Sequence, residues 1–200
     1  MPSVPWWGSL SSGAAPVLLI GGWTLAAARQ PVGFDPFVQS ISALAGREAT
    51  DSWVMSLALC GVGVCHLATA MALRPVSLRA RASLGLGGVA TMAIAAFPLP
   101  GGDADSLPHA IAATLALVAL AAWPALAGRR HSMPVLRPRL CLGAATVLLL
   151  LVGWFFVSVL TGGPLLGLSE RIAAGAQTVW PLVVVAAIRH TQQTFVAADG

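Results

Sequence analysis

Asp35, Glu170 and His109 are the side chains best suited to proton chemistry in this largely apolar sequence. Asp35 sits between two phenylalanines in "GFDPFVQSISALAG" (Gly33 to Gly46), and Glu170 lies in "GLSERIAAGAQTVWP" (Gly167 to Pro181). His109 follows "DADS" at 103–106. A carboxylic acid kept dry holds its proton and can serve as a donor. Aromatic faces stabilise cations, more strongly where water is excluded. Asp35 or Glu170 as proton donor, His109 or Gln177 as orienting partner, and Trp23, Trp154 and Trp180 as cavity wall would suit proton-triggered cyclisation of a polyene. Phe34, Phe37, Ser42 and Arg171 lie beside the acids and complete an expected substrate-contacting rim. Each assignment has a plainer counterpart. Asp35 before Pro36 also reads as a helix N-cap, Glu170 with Arg171 as a surface pair, and the tryptophans as packing or interfacial residues, as Trp53 and Trp123 near span ends are expected to be.

The elements that position these groups follow from composition. The chain has 200 residues, 57% of them hydrophobic and only 9% charged, with a mean hydropathy of +0.83. A soluble domain carries roughly 25% charged residues, so lipid must cover much of this surface. Apolar runs near the required length of about 20 residues fall at 9–28, 53–73, 83–100, 109–128, 140–160 and 170–188. The expected fold is therefore all-α: a six-transmembrane-helix bundle forming a single integral membrane domain over 1–200. "MPSVPWWGSL" lacks the basic segment of a cleavable signal peptide, and Trp6 and Trp7 read as interfacial anchors.

Arginine placement orients the bundle. Arg74, Arg79, Arg81, Arg129, Arg130, Arg137, Arg139 and Arg189 fall on one side, against Arg29, Arg47 and Arg171 on the other, and lysine is absent. The positive-inside bias places both termini in the cytoplasm, consistent with a multi-pass protein of a bacterial plasma membrane. Asp35, Glu48, Asp51, Asp103, Asp105 and Glu170 then lie outside, with Asp199 inside. The net charge of +4 is explained by these loops and anionic lipid, so no nucleic-acid partner is expected.

The first outer loop is the longest. Asp35-Pro36 predicts a cap and first-turn proline opening a short amphipathic helix through about Leu44, with Phe37, Ile41 and Leu44 on one face, lying over the bundle as a lid. Glu170, Ala174, Gln177 and Pro181 share a face of the last span, pointing inward because polar groups facing lipid are costly. Ser52, Ser56, Cys60, Gly63 and His66 form a similar stripe in the second span. His66 reads either as a hydrogen-bonded core residue or as a functional intramembrane group. Trp-Pro at 123–124 and 180–181 predicts two spans bent around a shared space. Dense glycine and alanine, including Ser83-x-x-x-Gly87 and Gly87-x-x-x-Thr91, predict close helix packing.

Several chemistries drop out. Two histidines at one depth for a haem are lacking, as is a ligand cluster for zinc. The three cysteines show no CxxC spacing and read as packing residues. There is no DDxxD or NxxxD pair for magnesium diphosphate, no serine–histidine pair for an intramembrane protease, and "DADS" lacks the last aspartate of the DxDD acid motif. No metal and no cofactor are expected.

"DPFVQSISALAG", "AAFPLP" followed by His109, "GLSER" and "WPLVVV" together resemble an uncharacterised family of six-span actinobacterial membrane proteins, a domain of unknown function, over nearly the whole chain. In size and composition the chain is also similar to small actinobacterial membrane terpene cyclases. That likeness implies protonation of an alkene by an aspartic or glutamic acid, cation relay past aromatic walls, and final deprotonation. Two functions are expected on this basis. One is a metal-independent enzyme that cyclises an isoprenoid-like (terpene or meroterpenoid) substrate in a blind pocket. The other is a non-catalytic lipid-binding or accessory membrane protein, or a small transporter, with the arginine loops as docking surfaces.

Overall fold

The computed structural model describes residues 3–101, 106–128 and 133–198. Asp103, Asp105, Arg129, Arg130 and Asp199, which enter the charge and motif arguments, lie outside the described residues. The described chain is all-helical: α1 (Trp6–Ala27), α2 (Ile41–Leu44), α3 (Trp53–Ala72), α4 (Leu78–Ala96), α5 (Leu107–Ala127), α6 (Pro138–Thr161) and α7 (Leu166–Ala198), with a 3-10 turn at Pro134–Leu136.

Local chemistry sets the helix ends. Ser77 Oγ accepts from Ala80 N at 3.2 Å to open α4, and Ser106 Oγ accepts from His109 N at 3.4 Å to open α5. Pro108 and Pro138 stand in first turns, where a missing N–H removes no helical bond. Gly162, at φ +61°, ends α6 in the left-handed conformation that glycine adopts without strain.

The six long helices close into a ring. α1 packs on α3, α3 on α4, α4 on α5, α5 on α6, α6 on α7 and α7 back on α1, while short α2 touches α1 and α7. Large apolar side chains such as Val17, Leu57, Leu150 and Leu160 face outward and exposed, as a lipid-covered surface requires. Five of the six helices (α1, α3, α5, α6 and α7) are long and apolar enough to cross a membrane, as a multi-pass membrane protein demands. α4 falls short because Arg79 and Arg81 occupy its first turn.

Small residues bring the helices close. A methyl group on Gly88 of α4 would lie 2.7 Å from the Gly63 carbonyl oxygen of α3, so the backbones touch there, as expected of membrane helix pairs.

The boundaries differ from the sequence expectation in three places. α4 spans 78–96 rather than 83–100, because its arginines lie within the helix: Arg81 Nε donates to the Ala70 carbonyl at 2.7 Å. α7 runs on past residue 188 through Arg189–Ala198, a polar extension that hydropathy alone does not register. The lid helix covers only Ile41–Leu44 and is capped by Ser40, whose Oγ accepts from Ala43 N at 2.9 Å. Asp35 caps a single turn instead: its Oδ1 accepts from Phe37 N at 2.8 Å. The helix cannot begin at Pro36 because α7 takes the carbonyls it would need. Arg171 Nη1 donates to the Pro36 and Gln39 carbonyls at 2.7 and 2.8 Å. Leu168 N and Gly167 N donate to the carbonyls of Phe37 and Val38.

The ends of the first loop are tied together. Gln30 and Thr50 exchange two hydrogen bonds of 2.9 and 3.1 Å. Arg29 Nη1 lies 2.6 Å from Asp51 Oδ2, and Trp53 Nε1 donates to Asp51 Oδ1. Arg29 first, then Trp53, holds the Asp51 carboxyl below the usual carboxylate range. Asp51 itself is left-handed, at φ +51°, a conformation that Asp and Asn tolerate better than most residues.

Candidate functional site: a chamber on the bundle axis

A cavity of about 60 Å³ lies inside the ring, and all seven helices line it. α1 gives Leu19, α2 gives Ile41 and Ser42, α3 gives Leu59, Val62 and His66, and α4 gives Thr91 and Ile94. α5 supplies Ala113, Ala116, Leu117 and Leu120, α6 supplies Phe155, and α7 supplies Glu170, Ala174, Gln177 and Thr178. The wall is largely aliphatic. Polar groups gather toward its two ends, Glu170 and Ser42 under α2, and His66, Gln177 and Thr178 further along. Glu170 and Gln177 are seven residues apart on α7, roughly 10 Å of helix rise.

Glu170 pins the roof. It is buried, and its carboxylate accepts from the Ile41 backbone N–H and from Ser42 Oγ, the latter at 3.1 Å. The neighbouring Arg171 donates to the Pro36, Gln39 and Gly167 carbonyls. Two adjacent side chains of α7 thus hold both sides of the turn leading into α2: Glu170 takes the Ile41 N–H and the Ser42 hydroxyl, and Arg171 takes the preceding carbonyls. An anion at a helix start is also electrostatically favourable.

The floor has a different character. Gln177 Nε2 donates to the Leu117 carbonyl at 2.8 Å. Thr91 Oγ1 donates to Gly87 O at 2.8 Å and Thr178 Oγ1 to Gly175 O at 2.9 Å. His66 is 1% exposed, yet neither Nδ1 nor Nε2 has a partner. Pro124 and Pro181 lie inside α5 and α7, so the carbonyls of Leu120 and Gln177 lose their helical N–H donors. Both residues line the chamber, which is the shared space expected between the two Trp-Pro spans.

Of the sequence-predicted acid–base groups, the structure brings only Glu170 to the chamber. Asp35 is exposed on the first loop, because its side chain is committed to the turn at Phe37. His109 is buried at the start of α5, where its Nδ1 lies 2.8 Å from the Phe97 carbonyl oxygen. It joins the end of α4 to α5 and does not line the chamber.

The expected aromatic wall is also absent from the lining. Trp23 is half-buried against the α1–α3–α5 core, and Trp180 packs between two core clusters. Trp154 is half-buried on α6, outside the lining. Among the described Phe and Trp residues, Phe155 alone borders the space. Phe37 is exposed, and Phe34 lines a separate open cleft of about 590 Å³ under the first loop, with Gln30, Gln39 and Leu99 among its walls. Ser42 and Gln177 line the chamber, while Arg171 lies outside the lining and holds the turn leading into α2. Trp123, placed near a span end by the sequence, is fully buried, and Trp53 is exposed.

Sequence reasoning missed Thr91, Thr178 and Phe155, which carry no signal apart from their neighbours in space. It placed His66 on a polar stripe of the second span without assigning it to the site. The usable signal was that an ionisable group inside a span faces a cavity or a partner. Among the described residues, no group of three or more His, Cys, Asp or Glu is placed to hold a metal ion.

Among curated proteins and among solved structures, nothing matches the chain, so the looser likeness to membrane terpene cyclases finds no support. A family model described as "Protein of unknown function (DUF998)" matches residues 13–187, a range that contains every chamber-lining residue. The chain therefore belongs to the DUF998 family.

Proposed function

We propose that this protein binds a small lipophilic molecule in the axial chamber, without chemical change, as a six-span protein of the bacterial plasma membrane with both termini cytoplasmic. The observation that carries the reading is the closed ring of six long helices, each contributing to one largely aliphatic space roofed by α2. Ligand sites between bundle helices share this character: apolar walls with a few placed polar groups. The arginine distribution supports the orientation, and Arg79 and Arg81 at the cytoplasmic end let α4 serve as the sixth span. Roughly 10–15 Å³ of such space holds one water, so 60 Å³ takes only a few ligand atoms while the roof is shut. A larger guest requires α2 to lift.

A second reading, proton-initiated cyclisation or isomerisation of an isoprenoid-like substrate, is favoured by one observation: the Glu170 carboxyl borders an apolar chamber together with Ser42. Against it stand the small volume, the nearly non-aromatic wall, and a carboxylate already occupied by two donors.

The two readings separate in one experiment. Protein in lipid nanodiscs is incubated with geraniol and with a prenylated indole, and both binding and products are measured for wild type, Glu170→Gln, Ala116→Phe and Ala174→Leu. The last two substitutions fill the chamber from α5 and α7, and melting temperatures identify any variant that fails to fold. The binding reading expects saturable uptake that falls in the filled variants, with the probe recovered unchanged. Product that disappears in Glu170→Gln favours the enzyme. Uptake that is non-saturable and equal in all four proteins contradicts both.

A further inference from the structure

We propose that His66 is the hydrogen-bonding anchor of the chamber and that the ligand it receives carries a hydroxyl head on an apolar hydrocarbon tail. This rests on the chamber being a ligand site, and it adds the chemical class.

The polar side chains around His66 on the floor already donate to backbone carbonyls. Gln177 donates to Leu117 O, Thr91 to Gly87 O and Thr178 to Gly175 O. At the roof, Glu170 is engaged by Ile41 N and Ser42 Oγ. His66 alone lines the space with both ring nitrogens buried and unpartnered. Buried polar side chains are nearly always hydrogen-bonded, and an exception in a native fold points to a missing partner.

The position is also built rather than incidental. A methyl group on Gly88 would come within 3.1 Å of His66 Cβ, so the glycine of α4 lets the stretch of α3 that carries His66 lie directly against that helix.

The chemistry of the ring selects the head group. A neutral imidazole offers one N–H donor and one acceptor nitrogen. A hydroxyl both donates and accepts, so it can answer whichever nitrogen faces the chamber; a carbonyl can only accept, and a hydrocarbon can do neither. Leu120 and Gln177, whose carbonyls Pro124 and Pro181 leave without helical donors, line the same space, and such carbonyls are acceptors only. A ligand with an O–H to donate therefore suits the floor better than one with acceptors alone. Leu59, Val62, Ile94 and Leu117 supply an aliphatic wall for the tail.

The test compares an alcohol with its own hydrocarbon. Geraniol and 2,6-dimethylocta-2,6-diene are titrated into nanodisc-embedded wild type, His66→Phe and His66→Gln, with empty nanodiscs subtracted, and the ring nitrogens are followed by ¹⁵N NMR in histidine-labelled wild type. The expected result is about tenfold tighter binding of the alcohol to wild type, the scale of one hydrogen bond in a dry site. His66→Phe should abolish that preference and His66→Gln, which keeps a donor and an acceptor, should restore part of it. Geraniol, but not the hydrocarbon, should move the His66 ring signals. If both probes bind saturably and equally in all three proteins, or geraniol leaves the ring signals in place, the anchor is overturned while the chamber reading stands, with water as the ring's partner. If neither probe binds saturably, the chamber reading falls and takes the anchor with it. Should His66→Phe fail to fold, His66→Gln and the wild-type ring signals decide.

Discussion

At the residue scale, the decisive pair is Glu170 and Arg171, because neighbours of opposite charge on one helix hold a turn far away in sequence. A hydrogen bond to a charged group contributes about 1.5–3 kcal/mol, and leaving its buried partner unpaired costs a similar amount. Glu170→Ala removes the acceptor for Ile41 N and Ser42 Oγ. Amide exchange across 40–44 should then accelerate by about 10- to 100-fold, with α3 and α5 unchanged, as read by hydrogen–deuterium exchange in nanodiscs. Unaltered protection at Ile41 would show that α2 is held by packing alone. Asp51 offers a smaller test in which charge and backbone separate. Asp51→Asn loses the ion pair with Arg29 but tolerates the left-handed backbone, whereas Asp51→Ala loses both, so the alanine variant should melt lower. Because the folded-state pKa of Asp51 is depressed, its contribution is present above the ordinary carboxylate pKa of about 4. It is lost as pH falls through the lower folded value. The pair is exposed, so the effect is small and shrinks in salt. A melting-temperature difference between wild type and Asp51→Asn should therefore be present above about pH 4 and close as the pH falls through that lower folded value.

At the element scale, α3 and α4 meet at Gly63 and Gly88, and that contact sets where His66 stands. Gly88→Ala forces a methyl toward the Gly63 carbonyl and His66, an overpacking that costs about 1–3 kcal/mol. Gly85→Ala, three residues earlier on the same helix, meets only ordinary contacts of 3.7 and 3.9 Å and should be neutral or slightly stabilising. Equal melting temperatures for the two variants would contradict the close crossing. Much at this scale was legible in sequence. Apolar runs located the six long helices, and the two Trp-Pro pairs pointed to a shared space. The lid was misread at its start because Asp35-Pro36 and Ser40 are both competent N-caps. The choice between them is made by α7, which draws off the carbonyls of residues 36–39. No local pattern encodes a competitor some 130 positions away. The candidate site was half legible: the inward face carrying Glu170 and Gln177 follows from helical spacing, whereas grouping Asp35 and His109 with them assumed that equal depth means a common cavity. In a ring of six helices two side chains at one depth can face different neighbours, and His109 faces Phe97.

At the scale of the whole molecule, the ring topology and the arginine bias make two claims, one about sidedness and one about the interior. Val32, fully exposed on the first loop, and Arg137, exposed at the opposite end, report the first. In a background with Cys60, Cys65 and Cys141 replaced by alanine, Val32→Cys should react with a membrane-impermeant maleimide on intact cells. Arg137→Cys should react only after the membrane is opened, and the reverse pattern would invert the orientation. The interior claim is central, because both the proposed binding and the His66 anchor depend on a guest reaching the axis. It is tested most directly by photolabelling the protein in nanodiscs with a diazirine-bearing prenyl alcohol and mapping the adducts by mass spectrometry. Adducts on the chamber faces of α3, α5 and α7, around Val62, His66, Ala116 and Gln177, and suppressed by excess geraniol, are the predicted result. Labelling confined to lipid-facing positions such as Leu57, Val147 and Leu150, and insensitive to competitor, would contradict it.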